Sequence, residues 1–568
     1  MVKYPIITSK HFYRNITETF KKYKIQKEFR TEQELCNPKK YKLQNPQKFV
    51  ASYISPKTPY RNLLVFHQIG SGKTCASIQI AEKWKKTHKI LVAVPASLIL
   101  NFKKELISKC IDSQYITDKE IELLKKYKYT SKIHKKILNV INKRINKYYE
   151  IISHQKLILK IKNKTLRLKN KLLIIDEVQN LVSMKGSCYK ILHNYLKKNR
   201  KNNPIVLLSA TPMFDKPIEL SLTLNLLDLK ESIPVGKMFE NLFIEKFKDN
   251  EGEIFYTIKN IDLLYQMVKG YVSYFRGAHP KTFPKKKQII VKCKMKEFQL
   301  KSYLAIAKKK GNFRETDLFN ISDSFFIGLR AISNIAFPNR KVGRKGYDSF
   351  KGKLLKGQYL RQYSEKFYKI INLIKKSQGP IFIYSNFKSY FGIQSFIKVL
   401  EAYNYKDFNK EGEGLNRYCI WSGDTSNTNR NKIIRTFNNF NNINGEKIKI
   451  LLGTPSIKEG VSLLRVEQVH ILEPYWNISR LDQIIGRAIR YCSHKDVPKY
   501  RKKVDIYMYE SVLPKQELSI DTYITSLAKR KQIIITQFEN VLKQSAIDCS
   551  LNKNANFIGS KNKLKCKI

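Results

Sequence analysis

The chain has 568 residues, 42% of them apolar, which is enough for several buried cores and excludes a disordered polymer. Lys and Arg number 108 against 46 Asp and Glu, and the formal charge of +62 favours a polyanionic partner over an acidic or neutral one. No apolar run approaches a membrane span, and Met1-Val-Lys-Tyr-Pro lacks the apolar segment of a secretory signal, so a soluble, non-secreted protein with no membrane partner is expected.

Nine cysteines are scattered without any C-x-x-C spacing, so neither a zinc module nor a disulfide framework is expected, in keeping with a reducing compartment. A coding bias toward Lys, Asn and Ile would also raise the charge. The motifs therefore have to decide what the charge serves.

Residues 1–40 are polar and weakly periodic and read as a helical or irregular extension. Gln47 follows, just upstream of a glycine-rich loop, and its side-chain amide can both donate to and accept from an adenine edge. Leu63-Leu-Val-Phe-His-Gln-Ile-Gly-Ser-Gly-Lys-Thr74 then reads as strand, phosphate cradle and helix start. Backbone N–H groups at Gly70, Ser71 and Gly72 would face a triphosphate, Lys73 would reach the β- and γ-phosphates, and Thr74 would hold Mg²⁺. His67 stands where the usual pattern has glycine.

Lys89-Ile-Leu-Val-Ala-Val-Pro95 reads as a buried parallel strand whose end delivers Ser97 to the ligand edge of the sheet. Residues 103–169 read as largely helical with one further strand near Tyr148–Gln155. Leu172-Leu-Ile-Ile-Asp-Glu-Val-Gln179 is a central strand ending in two carboxylates: Asp176 for Mg²⁺ and Glu177 as the base that polarises the attacking water. Gln179 lies beside the nucleotide. Pro204-Ile-Val-Leu-Leu-Ser-Ala-Thr-Pro212 repeats the arrangement and brings Ser209 and Thr211 to the same edge.

Downstream, Gly379-Pro-Ile-Phe-Ile-Tyr-Ser385 and Ile448-Lys-Ile-Leu-Leu-Gly-Thr-Pro455 read as strands of a second sheet. Lys458-Glu-Gly-Val-Ser462 follows as a polar loop. Leu481-Asp-Gln-Ile-Ile-Gly-Arg-Ala-Ile-Arg490 matches Q-x-x-G-R-x-x-R, and on a continuous helix Gln483, Arg487 and Arg490 would share one face. A last helix is expected over Thr522–Lys543, followed by a poorly ordered basic tail ending at Ile568.

The motifs Gly-Ser-Gly-Lys-Thr, Asp-Glu-Val-Gln, Ser-Ala-Thr and Q-x-x-G-R-x-x-R, in this order, resemble those of superfamily 2 helicases and translocases. Thr58-Pro-Tyr-Arg61, Gly270–Arg276, Leu329–Asn334 with Phe337-Pro338, Cys492-Ser-His494 and Ser545–Cys549 narrow the resemblance to a group in large DNA viruses. That group includes the poxvirus early transcription factor small subunit and nucleoside triphosphate phosphohydrolase I. Gln179 and His67 depart from the wider pattern.

The resemblance implies an α/β fold of two tandem RecA-like lobes, parallel sheets flanked by helices. The expected divisions are an N-terminal extension at 1–40, an ATP-binding lobe at 41–285, a helical basic linker at 286–365, a second lobe at 366–511 and a helical extension with basic tail at 512–568.

It further implies ATP and Mg²⁺ as cofactors and a helicase or translocase activity in viral transcription. Arg490 would act as the arginine finger, with Arg487 on the phosphates and Gln483 supporting the helix or the nucleotide. Ser97, Thr211, Thr454 and Ser462 would contact DNA or RNA. Viral RNA polymerase or transcription factor subunits would be partners, and the virion and host cytoplasm the location. The alternative implied is a promoter-binding or termination factor that uses ATP as a switch without unwinding.

Overall fold

The computed structural model describes residues 4–111, 114–127, 131–183, 186–200, 203–248, 254–308, 326–458, 461–514, 517–558 and 565–567. The chain folds as two units. The first comprises Met1–Arg30, Asn37–Pro280 and Ile533–Ile568, and the second Thr31–Cys36 and Lys281–Gln532.

In the first unit the apolar runs become strands β1 (Asn62–His67), β2 (Lys89–Val94), β3 (Tyr149–Ser153), β4 (Lys171–Ile175) and β5 (Ile205–Ser209). After an antiparallel hairpin of β6 (Ile244–Lys248) and β7 (Ile254–Ile258) comes β8 (Val272–Phe275). The main sheet has the order β3-β2-β4-β5-β1-β8, and every pairing in it is parallel. Helices cover both faces of such a sheet, so its central strands are apolar throughout rather than alternating. Leu63 to Phe66 and Leu172 to Ile175 are accordingly buried without a break. β3 is the single strand expected between residues 103 and 169.

Parallel strands place all their carboxyl ends on one edge, and that edge receives the loops after β1, β2, β4 and β5. The segment before β1 is locked to the helix after it. Helix Asn45–Tyr53 stacks Tyr53 on Tyr60 with ring centroids 4.1 Å apart, and Trp84 at the end of helix Lys73–Trp84 donates its indole N–H to Ile54 O at 3.0 Å.

The second unit holds β9 (Lys285–Lys294), β10 (Ile381–Tyr384), β11 (Lys406–Asp407), β12 (Arg417–Trp421), β13 (Ile450–Gly453), β14 (Gln468–Ile471) and β15 (Lys503–Val512). Their order is β11-β12-β13-β10-β14-β15-β9, again with all pairings parallel. β9 corrects the reading of 286–365 as helical from its start. Ile289, Val291 and Cys293 alternate toward the core, but lysines around them mask this short period-two signal, and the same lysines keep an edge strand from pairing with other chains.

Within this unit Lys366 is fully buried and balanced. Its ammonium lies 2.7 Å from Asp521 Oδ2 and 3.0 Å from both Asn334 Oδ1 and Leu472 O, while Asn334 Nδ2 donates to Glu473 Oε1 at 2.7 Å. A buried charge needs this kind of complete partnering, and Asn334 is its hub. Helix Ile520–Gln544 covers the C-terminal helix expected from the sequence. Of the basic tail expected to be poorly ordered, residues 559–564 and 568 lie outside the described residues.

The cysteine reading is overturned. Cys36 is bonded to Cys492, Cys75 to Cys110, and Cys549 to Cys566, with sequence separations of 456, 35 and 17 residues. Tertiary structure brings these thiols together across spacings that carry no sequence signature, and a reducing compartment no longer follows from them. Cys188, Cys293 and Cys419 remain as thiols. Thiol titration of denatured, unreduced protein is therefore expected to count three groups, rising to the full nine after reduction; nine before reduction would refute the pairs.

Among the described residues no helix is long and apolar enough to cross a membrane.

Candidate active site

The loop after β1 bends through Gly70 and Gly72, both at positive φ (79° and 76°), and Gly72 caps helix Lys73–Trp84. Only glycine takes these angles without strain, and a Cβ on Gly72 would meet Gln47 Nε2 at 2.4 Å. The positive end of a twelve-residue helix thus opens onto the loop. Lys73 Nζ donates to His67 O at 3.0 Å, resting on the carbonyl where β1 ends. Ser71 is buried, with its N–H donated to Gln68 O at 3.2 Å, and Thr74 is half-buried.

Gln47 lies against this loop. Its Nε2 donates to Gly72 O at 3.3 Å, and its Oε1 accepts the Gln44 N–H at 2.9 Å in a capping box. The amide read as an adenine contact also braces the glycine-rich loop.

At the end of β4, Asp176 is buried and Glu177 turns into the left-handed region at φ 50°, a conformation that costs a non-glycine residue energy and collects at functional sites. Burial, with the Glu177 carboxylate next to it, pushes the Asp176 carboxyl up to about 7, partly offset by the Lys73 ammonium. His154, at the end of β3, holds Asp176 O through Nε2 at 2.9 Å. That role went unread in the sequence, although Ser153-His154 ends a strand on the same edge.

Gln179 explains its own departure from the wider pattern. Its Nε2 donates to Glu177 Oε2, and its Oε1 accepts the Ser209 hydroxyl at 2.8 Å. Ser209 Oγ in turn accepts the Thr211 N–H at 3.0 Å. One amide, with a donor at one end and an acceptor at the other, joins the loop after β4 to the loop after β5. Ser97 lies exposed in the turn after β2 on that edge.

In the second unit the arginine motif departs from the expected helix. Helix Ile478–Ile485 ends at Gly486, and Ile485 O accepts from both Ala488 N and Ile489 N. Gln483 is on the helix and nearly buried, whereas Arg487 and Arg490 sit on the turns that follow. The two arginines still converge: Arg487 Nη1 and Arg490 Nη2 point to one carbonyl, Val461 O, at 3.4 and 3.2 Å.

Ser462 beside it is exposed. Glu459 and Gly460 of the polar loop lie outside the described residues. Thr454 is buried, with its N–H and hydroxyl both donated to Trp421 O at 3.1 and 3.2 Å.

Comparison with known proteins places these sites within described domains. The SNF2-related domain matches residues 31–342, and the helicase conserved C-terminal domain matches residues 365–492. A protein of Acanthamoeba polyphaga mimivirus named as an ATP-dependent RNA helicase, R563, is 45% identical, covering 100% of this chain and 99% of its own. An African swine fever virus protein named termination factor NPH-I homolog is 26% identical over 87% of this chain and 77% of its own.

A helicase of Invertebrate iridescent virus 3, 087L, is 30% identical over 90% of this chain, which spans 54% of that protein's length. Among solved structures, the Sulfolobus solfataricus SWI2/SNF2 ATPase core in complex with dsDNA matches 87% of this chain and 92% of its own at 18% identity. Its TM-score of 0.30 gives the likeness no weight of its own.

Proposed function

Because the chain belongs to the SNF2-related family of superfamily 2 ATP-dependent helicases found in large DNA viruses, we propose that it is a nucleic-acid-stimulated ATPase that translocates on its track during viral transcription. The observation that carries this reading is the edge of the first sheet, where Lys73, Asp176, Glu177, Gln179 and Ser209 meet at the ends of parallel strands. Gly70 and Gly72 present backbone N–H groups to the phosphates of ATP, the Ser71 N–H leaves Gln68 O to join them, and Lys73 leaves His67 O to pair with them. Gln47 keeps one N–H free for the adenine edge while bracing Gly72.

The residues fit Mg²⁺. A hydroxyl from Thr74 and a carboxylate from Asp176 are hard oxygen donors, and the raised Asp176 carboxyl, buried beside Glu177, marks a place short of positive charge that a divalent cation supplies. When bound, the ion neutralises charge on the β- and γ-phosphates. Glu177 accepts the proton of the attacking water, and Gln179 orients its carboxylate and ties it to the Ser209–Thr211 loop. Arg487 and Arg490 stabilise charge on the transferring phosphoryl group, with Gln483 supporting the helix that precedes them. Ser97, Thr211, Thr454 and Ser462 contact the phosphate backbone of the track.

A second reading is favoured by the African swine fever virus relative: a termination or promoter factor that uses ATP as a switch without separating strands, with viral polymerase subunits as partners, in the virion and host cytoplasm. The deciding experiment compares ATP turnover with double-stranded DNA, single-stranded DNA and RNA, followed by strand displacement on the best activator. Stimulated turnover that falls steeply with salt is expected, since phosphate contacts dominate. Absence of stimulation by all three would overturn the motor, and turnover without displacement would favour the second reading.

A further inference from the structure

His67 stands where the phosphate-loop pattern has glycine, and its side chain points away from the loop into a buried polar chain. Its Nε2 lies 2.9 Å from Ser273 Oγ on the neighbouring strand β8, and its Nδ1 has no hydrogen-bond partner among the described residues. Burial, with the Lys73 ammonium nearby, holds the imidazole neutral and moves it down to about 3. A neutral ring carries one N–H. Ser273 Oγ is also 2.6 Å from Asp548 Oδ2.

Burial pushes the Asp548 carboxyl up to about 7, against the three donors it meets, and in its ionised form the hydrogens in this chain follow. Asp548 is fully buried and accepts from three groups: the Ser273 hydroxyl, the Tyr274 N–H at 2.9 Å and Asn552 Nδ2 at 2.9 Å. With the Ser273 proton given to Asp548, the lone pairs of Ser273 Oγ face His67, and the imidazole proton sits on Nε2. The ring is thereby held at one end by a hydroxyl that is itself held by a carboxylate. The backbone carbonyl of the same histidine is where Lys73 Nζ rests.

The surrounding segment acts in the same direction. Ile547 N donates to Val272 O at 2.9 Å, Asn552 Nδ2 and Asn556 Nδ2 both reach Tyr274 O, and Asn556 Oδ1 accepts the Arg276 N–H at 2.9 Å. These contacts clamp β8 and the turn after it, where Gly277 comes so near the phosphate loop that a Cβ there would be 3.6 Å from the backbone of Ser71. A loop that binds anions through fixed N–H groups gains affinity by being held in shape before the ligand arrives.

We propose that Asp548 is a positioning residue of the nucleotide site, acting through Ser273 and His67 to hold the phosphate loop and Lys73 in the geometry that receives the phosphates of ATP. This rests on the reading of Lys73 as the phosphate-binding residue. The C-terminal segment is then part of the ATP site, although it lies outside both matched domains.

The test measures steady-state turnover and binding of a fluorescent ATP analogue by the full chain carrying Asp548→Asn, Ser273→Ala or both, with melting temperatures recorded for each. An asparagine has one acceptor oxygen and cannot satisfy all three donors. Each single variant is expected to raise KM for ATP about tenfold, the factor that corresponds to losing one buried hydrogen bond, with kcat within about twofold. The double variant should be no weaker than the singles, because both cut one chain.

A folded Asp548→Asn protein with unchanged KM overturns the proposal, as do losses that multiply in the double variant. If Asp548→Asn does not fold, an unchanged KM in Ser273→Ala overturns it instead. Lys73→Ala serves as the separate check on the site: if that variant binds the analogue normally, the nucleotide lies elsewhere and both readings fall.

Discussion

Replacing Glu177 with glutamine is expected to slow ATP turnover by about 10²–10⁴, the range that a positioned general base contributes, while nucleotide still binds. The substitution preserves shape and removes the group that takes the proton. The amide oxygen it keeps can still accept from Gln179 Nε2. Gln179 then keeps its bond to Ser209. Single-turnover hydrolysis and equilibrium binding of nucleotide make the comparison, and normal turnover in the variant would remove Glu177 from its role.

The second large effect is expected at Arg490. Its replacement by alanine should cut turnover by about 10³–10⁵, as loss of an arginine finger does in nucleotide hydrolases, with far less change in KM. Such a guanidinium acts on charge that develops in the transition state, so it lowers the barrier more than it strengthens ground-state binding. Arg490 and Arg487 share Val461 O as a resting partner. A variant whose KM rises in step with an unchanged kcat would make Arg490 a binding residue instead.

Much of the chemistry was legible in the linear order of residues because it depends on short spacings. The bend at Gly70 and Gly72, the lysine at the start of the helix and the carboxylate pair at the end of an apolar strand are each set within a few residues, and parallel strands then bring their ends to one edge. The arginine motif shows the limit of that reasoning. Gln483, Arg487 and Arg490 have helical spacing, yet the helix stops at Ile485 and a turn directs the guanidinium groups to Val461 O, because tertiary partners outweigh weak local propensity.

The strand Lys285–Lys294 was hidden for a related reason, its few inward residues lying among lysines. The capping box of Gln47 with Gln44 and its closeness to Gly72 carried no signal in the sequence.

By itself, the order of amino acids determined that this chain forms two parallel sheets and carries a phosphate loop, a carboxylate pair and an arginine motif, since each follows from runs of apolar residues and local backbone rules. Only the tertiary structure decided which distant groups serve them. The Asp548–Ser273–His67 chain, the Gln179 bridge and the three cysteine pairs join residues with no periodicity or spacing in common, and their partners are chosen by the burial of polar groups that must find each other once water is gone.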